Sequence, residues 1–179
     1  EVNNTFTVGN VRITLDETTV NELGEKTSDV RTTKGNAYKL IPGHTYTKDP
    51  TVTVKKGSEK CYVRAIVTIN KATKLDEIFA PGVKLNTILT GTDSTKWMLK
   101  DVEKDATNDA RIYTLEYYAP VDASADDVKL PELFKELVVP TSLTNGQLAE
   151  LQGLEIKVEA HAIQAEGFAS AAAAWAEFK

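Results

Sequence analysis

The stretch that most constrains the fold is Cys61–Asn70, because its side chains alternate strictly over ten positions. One face is apolar throughout and consists of Cys61, Val63, Ala65, Val67 and Ile69. The other face is mixed and consists of Tyr62, Arg64, Ile66 and Thr68. A period of two is that of a β-strand, and a second face that is partly apolar favours a position inside a sheet. The pattern therefore predicts a central strand.

Shorter runs of the same kind occur along the whole chain and are separated by turn signals such as Pro42-Gly43 and Asp49-Pro50. We expect strands at residues 11–16, 37–41, 44–48, 52–54, 97–102, 111–118 and 154–164. Residues 17–36 are polar and predict a long surface excursion. Many short strands with few helices predict an all-β fold, an antiparallel jelly-roll β-sandwich, formed by residues 1–179 as a single domain.

Helices are expected only as short insertions and at the end of the chain. Residues 74–79 suit one short helix, and Thr144-Asn145 can cap another over residues 147–151. Residues 134–139 suit a helix by their leucines, but their Val-Val-Pro ending favours a strand. The Ala-rich tail, residues 168–178, predicts a C-terminal helix, since Phe168, Ala171, Trp175 and Phe178 form one stripe.

Composition excludes several classes of function. The net charge of −5 argues against a nucleic-acid or anionic-membrane partner. No apolar run approaches the ~20 residues of a membrane span. The single cysteine rules out an intrachain disulfide, and no signal peptide begins at Glu1. We interpret the chain as either cytosolic or already processed.

Catalytic chemistry has little support. The two histidines, His44 and His161, form no H-E-x-x-H pair, and there is no G-x-S-x-G elbow. Cys61 lies on the predicted inward face and is interpreted as a structural thiol. The acidic loop containing Asp122, Asp126 and Asp127 lacks the spacing of a calcium-binding loop. We predict no catalytic residue, no metal and no cofactor, and therefore no enzyme.

The first eight residues form an alternating run of their own. Val2, Phe6 and Val8 fall on one face with Asn4 as the polar exception, and Gly9-Asn10 ends the run. A half-buried β-strand is expected. Such a strand at the N-terminus either pairs inside its own domain or completes the sheet of a neighbouring subunit.

Four segments together resemble the TasA/camelysin family, which is exported with a SipW-type signal peptide. They read T-F-T-V-G-N-V-R-I-T-L (5–15), L-I-P-G-H-T-Y-T-K-D-P-T-V-T-V (40–54), C-Y-V-R-A-I-V-T (61–68) and E-A-H-A-I-Q-A-E-G-F continuing to A-A-W-A-E-F (159–178). They cover both ends and the middle of the chain. One difference is that the aromatic run of the A-Y-F-T-D kind, usual in the family before T-F-x-x-G, is absent here.

This resemblance implies a secreted jelly-roll subunit of biofilm-matrix or cell-surface filaments, located outside the cell or on its surface. In that family the N-terminal segment of one subunit fills a groove in the next. The implied partner is therefore a second copy of the chain, joined head to tail, with other matrix or cell-wall components as further partners. The donor-strand candidates are Val2, Asn4, Phe6 and Val8. The acceptor-sheet candidates are Val63, Ala65, Val67, Ile156 and Val158.

Two other functions stay open. The chain could be a monomeric, adhesin-like surface module that binds a glycan or a protein through loops 17–36 and 119–131. A secreted metalloprotease, the class to which camelysin is assigned, has less support because no metal-ligand motif matches it.

Overall fold

The structure, a computed structural model, describes residues 4–79 and 85–179. Strands dominate these residues, and helices are few. The strands are β1 (Asn4–Val8), β2 (Ile13–Asp16), β3 (Thr45–Thr47), β4 (Thr51–Val54), β5 (Cys61–Asn70), β6 (Leu89–Thr90), β7 (Trp97–Asp105), β8 (Ala110–Tyr117), β9 (Val128–Lys129), β10 (Glu136–Val138) and β11 (Ile156–Gln164). The helices are α1 (Ala72–Phe79), α2 (Asn145–Glu150) and α3 (Ala171–Glu177), with a short 3-10 turn at Leu85–Thr87.

These strands form three sheets. The largest has the order β1-β11-β5-β8-β7, and two three-stranded sheets have the orders β3-β10-β6 and β2-β4-β9. β1 runs parallel to β11, whereas every other described strand pair is antiparallel. β5 pairs with β11 on one side and β8 on the other, so the prediction of a central strand is confirmed.

One face of the large sheet and both small sheets share a single hydrophobic core. In β5 the odd-numbered side chains are buried, and β2 and β4 add their own alternating apolar residues to the same cluster. This arrangement is compatible with an all-β sandwich. The opposite face of the large sheet, called the outer face below, carries a separate small cluster in which Trp175 of α3 packs near Ile163 of β11.

The helices begin where local hydrogen bonds favour them. Thr144 caps α2, with its hydroxyl accepting from the Gln147 backbone while the Gln147 side chain returns to the Thr144 amide, which is a capping box. Ser170 caps α3 by accepting from the amide of Ala173. Both helices lie where the sequence places them, and residues 136–138 of the ambiguous 134–139 segment form a strand.

The predicted strand at 37–41 is absent, for a reason the contacts make clear. The Tyr46 hydroxyl donates to the carbonyl of Lys39 and accepts from the amide of Ile41. The Lys39 amide donates to the carbonyl of Glu22. A tyrosine side chain thus takes the hydrogen bonds that a neighbouring strand would have made.

Residues 17–36 lie against the body of the protein more closely than a surface excursion suggests. Arg31 donates to the carboxylates of Asp16 and Asp49, at 2.6 and 3.0 Å. At the start of this segment, Glu17 is fully buried and pairs with the equally buried Lys48 at 3.0 Å. A buried ion pair of this kind holds a loop in one place, because separating the partners leaves a charge without compensation.

Candidate assembly site

The N-terminal strand β1 lies at one end of the large sheet and pairs only with β11 among the described strands. The register runs from Asn4 opposite Glu159 to Val8 opposite Ile163 without interruption. We call the backbone of residues 159–163 that faces β1 the β11 edge. The strand therefore pairs within its own chain in this structure, the first of the two fates considered for it.

No side chain of β1 is buried, and this differs from the half-buried strand that the alternation predicted. Phe6 is 47% exposed and Val8 41%. Their register partners, His161 and Ile163, lie on the outer face, so the apolar side of β1 faces outward while Thr5 and Thr7 share the side of the core. Of the donor-strand candidates, Val2 lies outside the described residues, and Asn4, Phe6 and Val8 lie along this outward side.

Phe6 contacts a group of side chains that we call the outer-face stack, made of Arg64, His161, Trp175 and Phe178. The rings of Phe6 and His161 meet edge to face at 5.5 Å between centroids, and His161 stacks on Phe178 at 4.8 Å. The Arg64 guanidinium lies 4.4 Å from the ring centre of Trp175 and 4.9 Å from that of Phe178. Three strands and a helix thus contribute to one contact surface.

The hydrogen bond inside this stack defines the protonation state of His161. Arg64 donates from Nε to Nδ1 of His161 at 3.1 Å, so Nδ1 is an acceptor and the imidazole is neutral. Burial, assisted by the charge of Arg64, lowers the pKa of His161 to about 4. Burial also lowers the pKa of Arg64, against the opposing charge of Glu116.

The chain leaves β1 through a glycine. Gly9 has a φ of +89°, a conformation that side chains other than glycine rarely adopt, and a Cβ there would overlap the side chain of Gln164. The chain is held again directly afterwards, because the Glu59 amide donates to the carbonyl of Asn10 and Val11 is buried in the core. Gly9-Asn10 is therefore the hinge between an exposed strand and an anchored one.

The acceptor-sheet candidates all point into the core. They are Val63, Ala65 and Val67 on β5 and Ile156 and Val158 on β11, and all five are buried. β5 has both edges paired, so it offers no free edge to an added strand. β11 has one edge against β5 and the other against β1, so a donated strand can reach the large sheet on this side only where β1 now lies.

A cavity of about 770 Å³ lies at the other end of β11. Its walls are the irregular residues 36–40 on one side and α2 with residues 151–156 on the other, with leucines on both. The buried Lys48, with its partner Glu17 behind it, forms part of the lining, as do Glu22, Lys39 and Glu155. The volume is in the range of ligand-binding pockets, and the lining mixes apolar and polar groups as those pockets do.

The residues considered for catalysis are already engaged in other contacts. Burial raises the pKa of the Cys61 thiol to about 11, which removes it as a nucleophile at neutral pH. Nε2 of His44 lies 2.7 Å from the carbonyl of Leu23. Asp127 bonds to Lys55 and to the amide of Lys56. Within residues 4–79 and 85–179, no three His, Cys, Asp or Glu side chains are grouped so as to hold a metal ion.

The described part of the chain also contains no helix with the length and hydrophobicity needed to cross a bilayer. Comparisons with protein-family models, with curated proteins and with solved structures found no match to this chain.

Two features of the site were missed by sequence reasoning. The outer-face stack and the Phe6 ring that it contacts bring together residues up to 172 positions apart (178 − 6), and no local pattern connects them. The cavity requires the irregular 36–40 segment, which was interpreted as a strand. The only available signal for the stack was the concentration of Phe168, Trp175 and Phe178 on one helical stripe, which predicts a packing surface without naming its partner.

Proposed function

We propose that this chain is a secreted structural subunit, with a jelly-roll fold, that assembles head to tail into filaments by exchange of β1 between copies. In the exchange, β1 of one copy leaves its own β11 edge and pairs with the β11 edge of the next. The observation that carries the proposal is the state of β1: an uncharged edge strand with no buried side chain, connected through a glycine hinge. Copies of the chain are the main partner, with other matrix or cell-wall components possible along the filament surface.

Releasing β1 costs little of the fold. The strand contributes a few main-chain hydrogen bonds, each worth roughly 0.5–1.5 kcal/mol net, and one partly covered aromatic side chain. The core formed by β2, β4, β5, β8 and β11 contains none of its residues. A monomer can therefore open at β1 while the rest of the domain stays folded.

The exchanged pairing reproduces the original contacts, so the two states differ little in contact energy. Concentration then determines which state prevails, since association is favoured by mass action. Each subunit donates its β1 to one copy and accepts the β1 of another copy on its own β11 edge. A contact of this head-to-tail type does not close on itself unless the rotation happens to form a ring, and it otherwise gives an open filament.

Cysteine trapping tests the exchange directly. Asn4 and Glu159 are register partners on the outer face, and the only native cysteine, Cys61, is buried. We would mix the single variants Asn4→Cys and Glu159→Cys under mild oxidation and follow covalent dimers by non-reducing electrophoresis. Since each protein carries only half of the pair, an Asn4–Glu159 crosslink forms only when β1 of one copy lies on β11 of the other.

The matched control is Leu99→Cys, on the opposite end strand of the same sheet, mixed with Asn4→Cys. We expect the Asn4/Glu159 mixture to yield crosslinked heterodimers in increasing amount with protein concentration, and the control mixture to yield far fewer. Equal yields in both mixtures, or none in either, would contradict the proposal. Deletion of residues 1–8 is expected to abolish filaments seen by negative-stain microscopy and to leave a folded monomer.

A second candidate function, a monomeric binding module, is favoured by the cavity beside residues 36–40. Because Lys48 is already paired with Glu17, Glu22 and Glu155 face only Lys39, and the lining suits a ligand without negative charge, such as a short uncharged glycan. Screening the deletion variant lacking residues 1–8 on a glycan array tests this candidate independently of assembly. Glycan binding that is lost in Leu148→Trp, which would fill the cavity, supports it, and an array without hits counts against it.

A further inference from the structure

The contact of Phe6 with the outer-face stack is the most specific interaction that β1 makes. The other side chains of β1, those of Asn4, Thr5, Thr7 and Val8, are all exposed and make no ring contact or charge pair with the described part of the chain. The backbone pairing itself accepts almost any sequence. Recognition of a particular strand on the β11 edge must therefore come from the aromatic side chain at its centre.

The stack can hold this ring only while His161 is neutral. Its Nδ1 accepts the hydrogen bond from Arg64 Nε, and that lone pair is the one a proton would occupy. Protonation would replace the hydrogen bond with two cations about 3 Å apart in a poorly solvated place. The ring would then have to turn away from Arg64, and its contacts with Phe6 and Phe178 would change with it.

The charges around His161 act on a proton in opposite directions, and the unfavourable one, Arg64, is the nearer. On its own strand, the Glu159 carboxylate lies 3.9 Å from Nε2, on the side away from Arg64. On β5 the facing group is Arg64, with Tyr62 beside it, and Glu116 of β8 lies opposite Arg64. The described part of β1 carries no charge, and α3 presents Phe178, flanked by the exposed Glu177 and Lys179.

We propose that the outer-face stack is a docking surface for the aromatic side chain of an uncharged strand laid parallel on β11, that its occupant in an assembly is Phe6 of a second copy, and that acid opens it. The part concerning a second copy rests on the proposed exchange of β1. The part concerning Phe6 within one chain does not. The same surface would hold the strand in both states, so acid speeds exchange between them without favouring either one.

The direction of the pH effect follows from linkage. His161 titrates at about 4 with the stack closed and near its ordinary value of 6.5 when the stack is open. The open state therefore binds the proton first as the pH falls, and closure weakens from about pH 6.5 down to about pH 4. Between pH 7 and pH 4.5 the closed-to-open ratio is expected to fall on the order of tenfold or more.

Amide hydrogen exchange of residues 4–8, corrected for the intrinsic effect of pH, tests the monomer at a concentration below assembly. We expect protection in the wild type to fall on the order of tenfold between pH 7 and pH 4.5. His161→Gln cannot titrate and should show no such fall, whereas His44→Gln, the matched control at the only other histidine, should keep it. Constant protection in the wild type, or an equal fall in His161→Gln, would overturn the inference.

A second variant keeps the test independent of how His161→Gln folds. Phe6→Leu keeps an apolar side chain and removes the ring, and its position is half exposed. Protection of residues 4–8 at pH 7 should drop several-fold in Phe6→Leu and stay unchanged in Leu99→Ala. Unchanged protection in Phe6→Leu would contradict the role of the aromatic side chain.

Assembly is measured separately, by light scattering at high concentration. Faster growth at pH 4.5 than at pH 7 in the wild type, with no difference in His161→Gln, supports docking between copies. If the exchange data behave as expected but no assembly occurs at either pH, the proposed filament fails while the acid-sensitive stack within one chain stands.

Discussion

The two end strands of the large sheet, β1 and β7, manage their exposed edges in opposite ways. β7 is interrupted by a bulge between Leu99 and Asp101 and carries five charged residues in its nine positions. Bulges and charges are the usual means by which proteins stop a free edge from pairing with another chain. β1 has an unbroken register and no charge.

The apolar side chains on the two strands make the contrast sharper. Leu99 and Val102 of β7 are 51% and 44% exposed, about as much as Phe6 and Val8 of β1. Exposure alone therefore does not separate the two edges, and the difference lies in the protection around them. The bulge and charges that hinder pairing are present on β7 and absent from β1, and the proposed head-to-tail polymer would require such an asymmetry.

The largest effect on assembly is expected when charged residues like those of β7 are introduced into β1. Thr5→Lys with Thr7→Lys places two like charges on the core side of β1, beside Ala160 and Ala162. Inward-pointing charges block edge pairing, so filament growth by light scattering should fall at least tenfold. The melting temperature should change little because neither position is buried, and filaments that grow normally would show that β1 is not the associating edge.

Removing the protection from β7 should produce a second, weaker route to association. Deleting Lys100 and replacing Asp101 and Glu103 with Thr removes the bulge and three of the five charges. In a variant that also lacks residues 1–8, we expect new self-association, measured by analytical ultracentrifugation. Each favourable cross-strand pair gained should contribute about 1 kcal/mol to the free energy of association. A protein that stays monomeric would mean that something other than charge and bulge keeps β7 unpaired.

A substitution at the hinge residue Gly9 is expected to have an intermediate effect on the pairing of β1. Gly9→Ala forces a side chain into a left-handed conformation, at a cost of about 1–3 kcal/mol, and against Gln164. Because β1 can detach, this cost should appear as lost amide protection in residues 4–8. Gly57→Ala is the matched control, since its φ is +83° but no atom lies near its added Cβ. It should lower the stability of the domain and leave β1 protected.

The smallest effect on stability is expected from truncating matched side chains on the two edges. Phe6→Ala loses a half-exposed ring and should cost less than about 1.5 kcal/mol of global stability, as should Leu99→Ala. They should differ in assembly, because only Phe6 contacts the outer-face stack. Equal assembly rates for the two variants would show that the Phe6 side chain contributes no more to assembly than the Leu99 side chain.

The sequence predicts much of the fold because its strongest signals are local. The alternation in β5, the capping box of α2 and the Ser170 cap of α3 each involve neighbours in the chain. The prediction of a strand at 37–41 is wrong although the apolar pattern is present, because the Tyr46 side chain takes the backbone hydrogen bonds. The sequence pattern indicates which residues can form a strand. It does not indicate which side chains compete for the backbone hydrogen bonds of that strand.

The candidate site was predictable in part. The alternation predicts a strand over residues 1–8 and assigns Phe6 and Val8 to a buried face, since an edge strand on an outer surface has the same period. Neither the parallel pairing with β11 nor the contact between Arg64 and His161, 97 residues apart, has any local signal. The order of strands expected for a jelly roll remains a prediction, as do secretion and assembly.

The hinge has a mechanical consequence for any polymer built through β1. Only Gly9 and Asn10 separate the exchanged strand from Val11, which is fixed in the core, and two extended residues span about 7 Å. A connection this short keeps successive subunits in direct contact. A fibre made in this way would have a high bending stiffness. Its axial repeat would be close to the width of one domain.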